Sequence, residues 1–533
     1  MCSILDKAAP WFFIPTSKCK YPLLLYGLLA ILDQIGRRRV YFCTEVHMRS
    51  LLLGWCSARH ISDTAAPLLL VLLTVMVTAR PASANPAFAR KYGMPCSGCH
   101  VAWPLLNNFG QVFRDNGYQM MNDRDSPIWR DNSYWPIAMY GIPEWHRESS
   151  NNQIVDTKPG DGTSQTAKRV SPTGFDFSGI AWWMSGTLNK NISFLLLPTI
   201  FALQPNGNWE VVFESAWVRF DNLLGSPWLN LKMGKFELDL PVSEKRGLNF
   251  SNYGGLYYNY HFFPVGSNPT LVANLQGLNS NQLGIELLGH NANSYTRYSL
   301  NVVSSNAGAF GNPYGNSVDF YGRFEQAWNV PHDLGYMKAS GFTYIGQWPT
   351  YFQTLGGTTT IAGTGTGNKG WTASGASLLW FTPKWVWSNV FVHGTENAYL
   401  ANNLPSNGPL PVGAKNASWN GGFTEGIYMY TPQLAFTSRY ETVRVAQQGV
   451  PLGTVASNGT TITGDTGNLD ALTFGIRWYP FMTTRDGFAI NPEYSVIRSR
   501  GAGNSLFAGS YTPSFNNRDV QSSSIFLGLN FEF

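Results

Sequence analysis

The chain has 533 residues, a formal net charge of +5 and six cysteines. Nine of its 37 Lys+Arg and four of its 32 Asp+Glu precede residue 85, so the rest carries 28 of each sign and no net charge, which excludes a polybasic nucleic-acid binder. Cys2, Cys19, Cys43 and Cys56 also precede residue 85, so only Cys96 and Cys99 remain and a disulfide framework is excluded.

Residues 1–84 read as a leader. Arg49 and Arg59 precede the apolar run from Pro67 to Val77, and Ala82-Ser83-Ala84 offers small residues for cleavage before Asn85. A positive region, a short apolar core and an A-x-A site make a signal peptide over 48–84, with Met48 as the start. Residues 1–47, with an apolar patch at Leu23–Leu32 and the Arg37-Arg38-Arg39 cluster, then read as an over-extended start. Neither apolar run reaches the ~18–20 residues of a spanning helix, which counts against a membrane anchor.

Residues 85–134 contain Cys96-Ser97-Gly98-Cys99-His100. C-x-x-C-H is the pattern of covalent haem attachment: two thiols add to the haem vinyls and the adjacent histidine binds iron. A zinc ribbon needs a second ligand pair, and no cysteine follows Cys99. A thioredoxin-like dithiol belongs in a βαβ pattern, which is absent. The expectation is one covalent haem c on Cys96 and Cys99, with His100 as axial ligand and redox relay. The spacing predicts a helix opened by Pro104, carrying Leu105, Phe109, Val112 and Phe113 on one face and stopped by Asn116-Gly117. So short a module cannot bury enough surface alone and needs a cofactor or a surrounding wall. For the distal iron position the candidates are Met120 and Met121, where methionine would raise the potential relative to histidine. Met94 precedes the motif, His146 is a poorer candidate, and an open position is the other alternative.

From about residue 135 to 533 the composition turns to aromatic residues, Gly, Asn, Ser and Thr with period-two alternation. Val318 to Glu325 sets an apolar face against Asp319, Arg323 and Glu325. Leu434 to Arg444 sets Phe436 and Tyr440 against Arg439 and Glu441; Ile525, Leu527, Leu529, Phe531 and Phe533 alternate with Ser524, Gly528, Asn530 and Glu532. Alternation alone also suits a soluble sandwich. Connection lengths discriminate: tight turns at Thr382-Pro383-Lys384 and Thr431-Pro432-Gln433 interleave with long stretches at 347–370, 395–420, 447–469 and 501–520. The fold class is therefore mainly β, an antiparallel outer-membrane β-barrel of ~16 strands, preceded by a small α-helical c-type cytochrome domain. The sixteen strands are expected near 135–146, 173–186, 192–203, 208–220, 228–237, 281–289, 295–304, 318–327, 336–346, 371–382, 385–394, 421–431, 434–446, 470–480, 487–500 and 521–533.

Other signals are weak. Gly363 to Lys369 lacks the ending of a phosphate loop. His261, His290, His332 and His393 have no metal-ligand spacing and read as structural. Glu148, Asp156 and Asp161 are expected in the first long loop, Glu237, Asp239 and Glu244 around the second, and Asp465 and Asp519 later, all as solvating acids. No nucleophile elbow or H-E-x-x-H pair is present.

Phe88-Ala89-Arg90-Lys91-Tyr92, Cys96 to His100, Pro104-Leu105-Leu106-Asn107, Phe109-Gly110, Phe113 and Asn116-Gly117-Tyr118 resemble the cytochrome segment of fused outer-membrane cytochrome–porins from iron-oxidising bacteria. The resemblance covers roughly 85–121; beyond it, only the barrel architecture and the terminal aromatic are similar. It implies that Cys96 and Cys99 bind haem, that His100 ligates iron, and that electrons pass from extracellular Fe(II) to a periplasmic carrier, a c-type cytochrome or copper protein. It does not settle the distal ligand, and the long leader departs from the pattern.

The functional expectation is an outer-membrane electron conduit of the Fe(II)–cytochrome c oxidoreductase type, surrounded by lipid, with the cytochrome domain on the periplasmic side or within the lumen. The alternatives are a diffusion porin or transport channel with a haem plug or sensor, and an outward electron outlet. A porin alone leaves the haem motif idle, and a soluble cytochrome leaves about 400 residues unexplained.

Overall fold

The computed structural model describes residues 86–102, 104–121, 125, 127, 128, 130, 137–158, 165–201, 210–243, 278, 281–304, 318–348, 369–396, 417–448, 468–482, 487–499 and 520–532. All lie in the second of two compact units, Val75–Phe533. The leader expected over 1–84 lies outside the described residues, as do His261, Asp161, Glu244, Asp465, Asp519 and Phe533.

A small module comes first: helix α1 (Pro86–Tyr92), a 3-10 turn (Cys96–Gly98), the paired strands β1 (His100–Ala102) and β2 (Leu105–Leu106), and helix α2 (Asn108–Asp115). Pro104 does not open a helix as the spacing predicts. It sits in the turn between β1 and β2, and the helix begins four residues later, where the Asn107 side chain accepts from Gly110 N at 2.8 Å as N-cap. The predicted stop holds, with Gly117 at φ +74 just beyond the Asn116 cap.

The barrel follows: β3 (Ile137–Asp156), β4 (Gln165–Val170), β5 (Thr173–Asn189), β6 (Ile192–Phe201), β7 (Glu210–Phe220), β8 (Asn230–Glu237), β9 (Asn281–His290), β10 (Thr296–Ser304) and β11 (Val318–Asn329). It continues through β12 (Tyr336–Trp348), β13 (Lys369–Phe381), β14 (Trp385–Glu396), β15 (Ala417–Thr431), β16 (Leu434–Gln448), β17 (Leu469–Met482), β18 (Gly487–Ser499) and β19 (Val520–Glu532). Every neighbouring pair is antiparallel, and β19 closes on β3 with Glu532 opposite Tyr140. β4 and β5 are one stave interrupted at Ser171-Pro172, since both pair with β3 in continuous register (Ser150 with Val170, Arg147 with Thr173). Seventeen strands thus make the sixteen staves expected.

The first hairpin is taller than the alternation predicts. Alternation ends β3 near residue 146, whereas the strand runs to Asp156, so Glu148 lies buried in its wall rather than in a loop. Its residues from Arg147 to Gln153 are polar, and its backbone ladder with β4 holds it in the wall.

The wall is inside-out relative to a soluble protein. On β10 and β11, Leu300 (53% exposed), Val302, Phe320 and Phe324 (55%) face outward, while Arg297, Asn301, Asp319, Arg323 and Glu325 are buried inside. Ile345, Phe391, Phe474, Ile525, Leu527 and Leu529 continue the outer apolar band. Trp228, Trp328, Trp380, Trp385 and Tyr430 lie exposed towards the rim of short turns, as in the aromatic girdle of a membrane barrel. Among the described residues no helix is long and apolar enough to cross a membrane. The closed, apolar-coated barrel is the structure that crosses, because every strand pairs on both sides and no edge is left.

Both ends of the barrel chain lie at the short-turn rim, and the module sits inside it. Arg90 Nη2 donates to Ile137 O (2.8 Å), Ile128 N to Thr187 O (3.1 Å), and Asn108 Nδ2 to Asn293 O (3.3 Å). Gly117 lies so close to the Asp221 carboxylate that a Cβ would fall 2.5 Å from its oxygen. Beyond β8, residues 238–243 turn into the lumen, with Leu238, Leu240 and Val242 joining the module's apolar cluster.

Candidate functional site

The motif loop is built from backbone geometry. Gly93, at φ +62, ends α1 in the left-handed conformation glycine tolerates. The chain then winds one tight turn, with Gly98 N donating to Pro95 O (2.9 Å) and Cys99 N to Cys96 O (3.0 Å), so both cysteines fall on one short arc. Both are free thiols. Burial pushes the Cys99 thiol up to about 11. Burial pushes Cys96 higher still, with the nearby Glu532 carboxylate and Cys99 adding to it. Redox dithiols and metal thiolates are set up by neighbours that lower the thiol pKa, and these surroundings do the opposite.

His100 follows at the start of β1. Its Nδ1 donates to the Pro104 carbonyl at 3.0 Å across the β1–β2 turn. That bond puts the proton on Nδ1, gives Nε2 the lone pair and sets the plane of the ring, as in a histidine whose other ring nitrogen is held by a carbonyl while Nε2 is left for a metal. Asn107 ties the motif to α2: its N donates to Cys99 O (3.0 Å), its Nδ2 to Gly98 O (3.0 Å), and its Oδ1 caps the helix. Gly110 completes the joint. A Cβ there would lie 2.1 Å from Cys99 O, so only glycine lets the helix backbone close onto the loop.

Behind the loop lies an aromatic cluster. Phe88 stacks on Tyr118 (centroids 5.0 Å) and meets Phe113 edge-on (5.1 Å), and Tyr118 stacks on Trp217 of the wall (6.1 Å). Of the methionine candidates, Met120 packs against this cluster and Met121, at φ +59, is 50% exposed. Met94 also packs there, its Cε 3.2 Å from where a Gly98 Cβ would be. His146 lies on β3 beside Glu144, Nδ1 to Oε1 3.6 Å. His290 is buried and bonded to Asn291 O, His332 occupies a turn at φ +61, and His393 Nδ1 meets Asn420 Oδ1.

The module is held in the lumen by matched charges. Arg297 Nε meets Asp115 at 2.7 Å, and its other nitrogens reach Asp239 (3.1 Å) and Glu325 (3.3 Å). Arg114 pairs with Asp239 at 3.2 Å, and Arg323 with Asp239 at 3.0 Å and with Glu325. Arg219 Nη2 donates to the Arg114 and Asp115 carbonyls at the end of α2, a cation at a helix C-terminus. Burial alone would raise the Asp115 and Asp239 carboxyls. Arg297 beside both, with Arg114 near both and Arg323 near Asp239, outweighs it and holds them below the ordinary carboxylate value. Asp239, expected on a solvated loop, is thus a buried link between the module and two strands. The chain order carried no sign of it, because its partners lie 58 to 125 positions away.

No family model matches the chain, and no curated protein matches it. Among solved structures it is similar in fold to the outer-membrane channel DcaP of Acinetobacter baumannii, with 8% identity over 74% of this chain and 97% of that one and a TM-score of 0.44. An anion-selective porin from Comamonas acidovorans matches with 11% identity over 74% and 99% and a TM-score of 0.44. OmpF of Salmonella typhi, in complex with daunomycin, matches with 10% identity over 74% and 97% and a TM-score of 0.40. The chain's own closed barrel, apolar exterior and polar lumen make it a porin-like barrel of the outer membrane, an architecture that supports a channel or porin role.

Proposed function

We propose that this protein is an outer-membrane electron conduit, in which one haem c held by Cys96, Cys99 and His100 takes electrons from extracellular Fe(II) and passes them to a periplasmic c-type cytochrome or copper protein. The observation that carries the haem reading is the His100 Nδ1–Pro104 carbonyl bond within C-x-x-C-H. It orients Nε2 for iron while the two free thiols share one turn of chain. A bound haem supplies one-electron iron chemistry. The chain's own residues do the rest. Cys96 and Cys99 would anchor the group through thioether bonds, Asn107 and Gly110 hold the motif against α2, and the Arg297–Asp115–Asp239 pairs fix the module in the rim. Met120, packed in the cluster beside the motif, is the better-placed distal candidate than the half-exposed Met121.

The donor comes from the resemblance of residues 85–121 to iron-oxidiser cytochrome–porins, and from topology: a barrel lets Fe(II) be oxidised without crossing the membrane. The module, at the rim that holds both ends of the barrel chain, is assigned to the periplasmic face. Stopped-flow mixing of the oxidised holoprotein with anaerobic Fe(II) is expected to reduce the haem at a rate compatible with turnover. His100→Ala should remove that reactivity while the barrel still folds. Wild-type haem that stays oxidised in excess Fe(II) at the growth pH overturns the iron reading. The porin-like barrel itself favours a second reading, a channel with a haem plug. Large, steady single-channel conductance with the module docked would select it.

A further inference from the structure

Glu144 and His146 lie two residues apart on β3, and Asp176 of β5 stands directly opposite Glu144 in the register. One ligand atom from each lies within 4.8 Å of the other two. All three face the lumen: His146 is opposite Phe526 of β19, buried on the inner wall, while Phe175, next to Asp176, is 88% exposed outside. Like charges directly opposite each other on antiparallel strands are destabilising. Several other lumenal acids are matched by cations: Asp115, Asp221, Asp239, Glu286 and Glu325 each meet an arginine or lysine. Among the described residues, neither Glu144 nor Asp176 has such a cation. The wall thus holds a cross-strand carboxylate pair with an imidazole beside it and, among the described residues, no lysine or arginine paired with either carboxylate.

We propose that Glu144, His146 and Asp176 form a binding site for a divalent first-row transition-metal ion, open to the lumen. One imidazole and two carboxylates are a mixed N/O donor set suited to Fe(II), Mn(II) or Co(II), with the remaining positions left to water. A dication neutralises the opposed carboxylates, which is what the register otherwise lacks. Its place along the barrel gives it a role. The Cys96 thiol lies near Glu532, and Glu532 registers with Tyr140, so the motif sits at that level of β3. Glu144 is four residues further from the short-turn rim, roughly 13 Å along the strand. Resting on the proposed function, this makes the three residues the docking point for substrate Fe(II), on the long-loop side of the haem motif.

The test separates the site from the reaction. Purified full-length protein in detergent is titrated with Co(II), followed by calorimetry and by the visible absorption of the bound ion. The same titration is run on Glu144→Gln, His146→Ala and Asp176→Asn, with haem staining and barrel heat-modifiability checked for each. One Co(II) per chain is expected, with affinity falling at least about tenfold in each variant. Unchanged affinity and stoichiometry in the variants overturn the site. In stopped flow, wild-type haem reduction should saturate with Fe(II), and the variants should lose saturation. Co(II) binding without any haem reduction by Fe(II) sinks the iron-oxidation reading and leaves the metal site standing. Saturating haem reduction with variants indistinguishable from wild type does the reverse.

Discussion

The module and the wall around it solve opposite burial problems with the same residue types. The wall turns Leu300, Phe324 and Ile525 outward and keeps Arg297, Arg323 and Glu325 within, because its outer solvent is lipid. The module, standing in that polar lumen, does the reverse: Phe113, Tyr118, Tyr92 and Ala102 are interior, and Arg114 and Asp115 reach outward to the wall. The two surfaces meet in ion pairs rather than in apolar packing alone. The contact is therefore specific in register, and it holds only while every buried charge keeps its partner.

Removing Arg297 is the sharpest way to break that arrangement. Arg297→Ala leaves Asp115, Asp239 and Glu325 short of a shared partner and should cost about 3–5 kcal/mol of docking stability, the range for a buried pair that loses one member. Limited proteolysis between the module and β3, in folded barrel, should then become rapid. A cleavage rate equal to wild type would show that the apolar contacts alone hold the module.

A charge on the outer face tests the other half of the comparison. Leu300→Arg should destabilise the barrel by about 2–4 kcal/mol, measured by reversible denaturant unfolding in lipid vesicles. The polar substitution Asn301→Ser, one residue along and inside, should be far milder. Equal costs would mean the outer band does not face hydrocarbon.

The smallest effect expected is the pH dependence of docking. Asp115 and Asp239 have lowered pKa values in the folded protein, so their contribution is complete above the unfolded carboxylate pKa of about 4 and is lost as pH falls through the lower folded values. Module release, followed by protease sensitivity, should therefore begin only in strong acid. Asp115→Asn should already release more readily at neutral pH and show a flatter acid profile. A wild-type midpoint at or above pH 4 would contradict the pairing.

Much of this was legible in the chain itself. The sixteen staves, the closing strand ending in Asn530-Phe531-Glu532 and the polar and apolar faces of Val318 to Glu325 all follow from period-two alternation, which is local. Cys96 to His100 was equally local, since one turn of backbone brings both thiols to the same arc. What the tertiary structure alone decided is mostly long-range. The Pro104 position is a local exception: its spacing suits a helix start, but the β1–β2 turn instead turns its carbonyl to His100. Asp239 has the sequence setting of a solvating acid, yet the inward bend after β8 buries it among three arginines. Glu144, His146 and Asp176 lie on strands that alternation anticipates near 135–146 and 173–186, but they meet only because β3 and β5 share one register. Alternation determines which face a residue takes; only closure of the barrel, by pairing distant strands, determines what that face will meet.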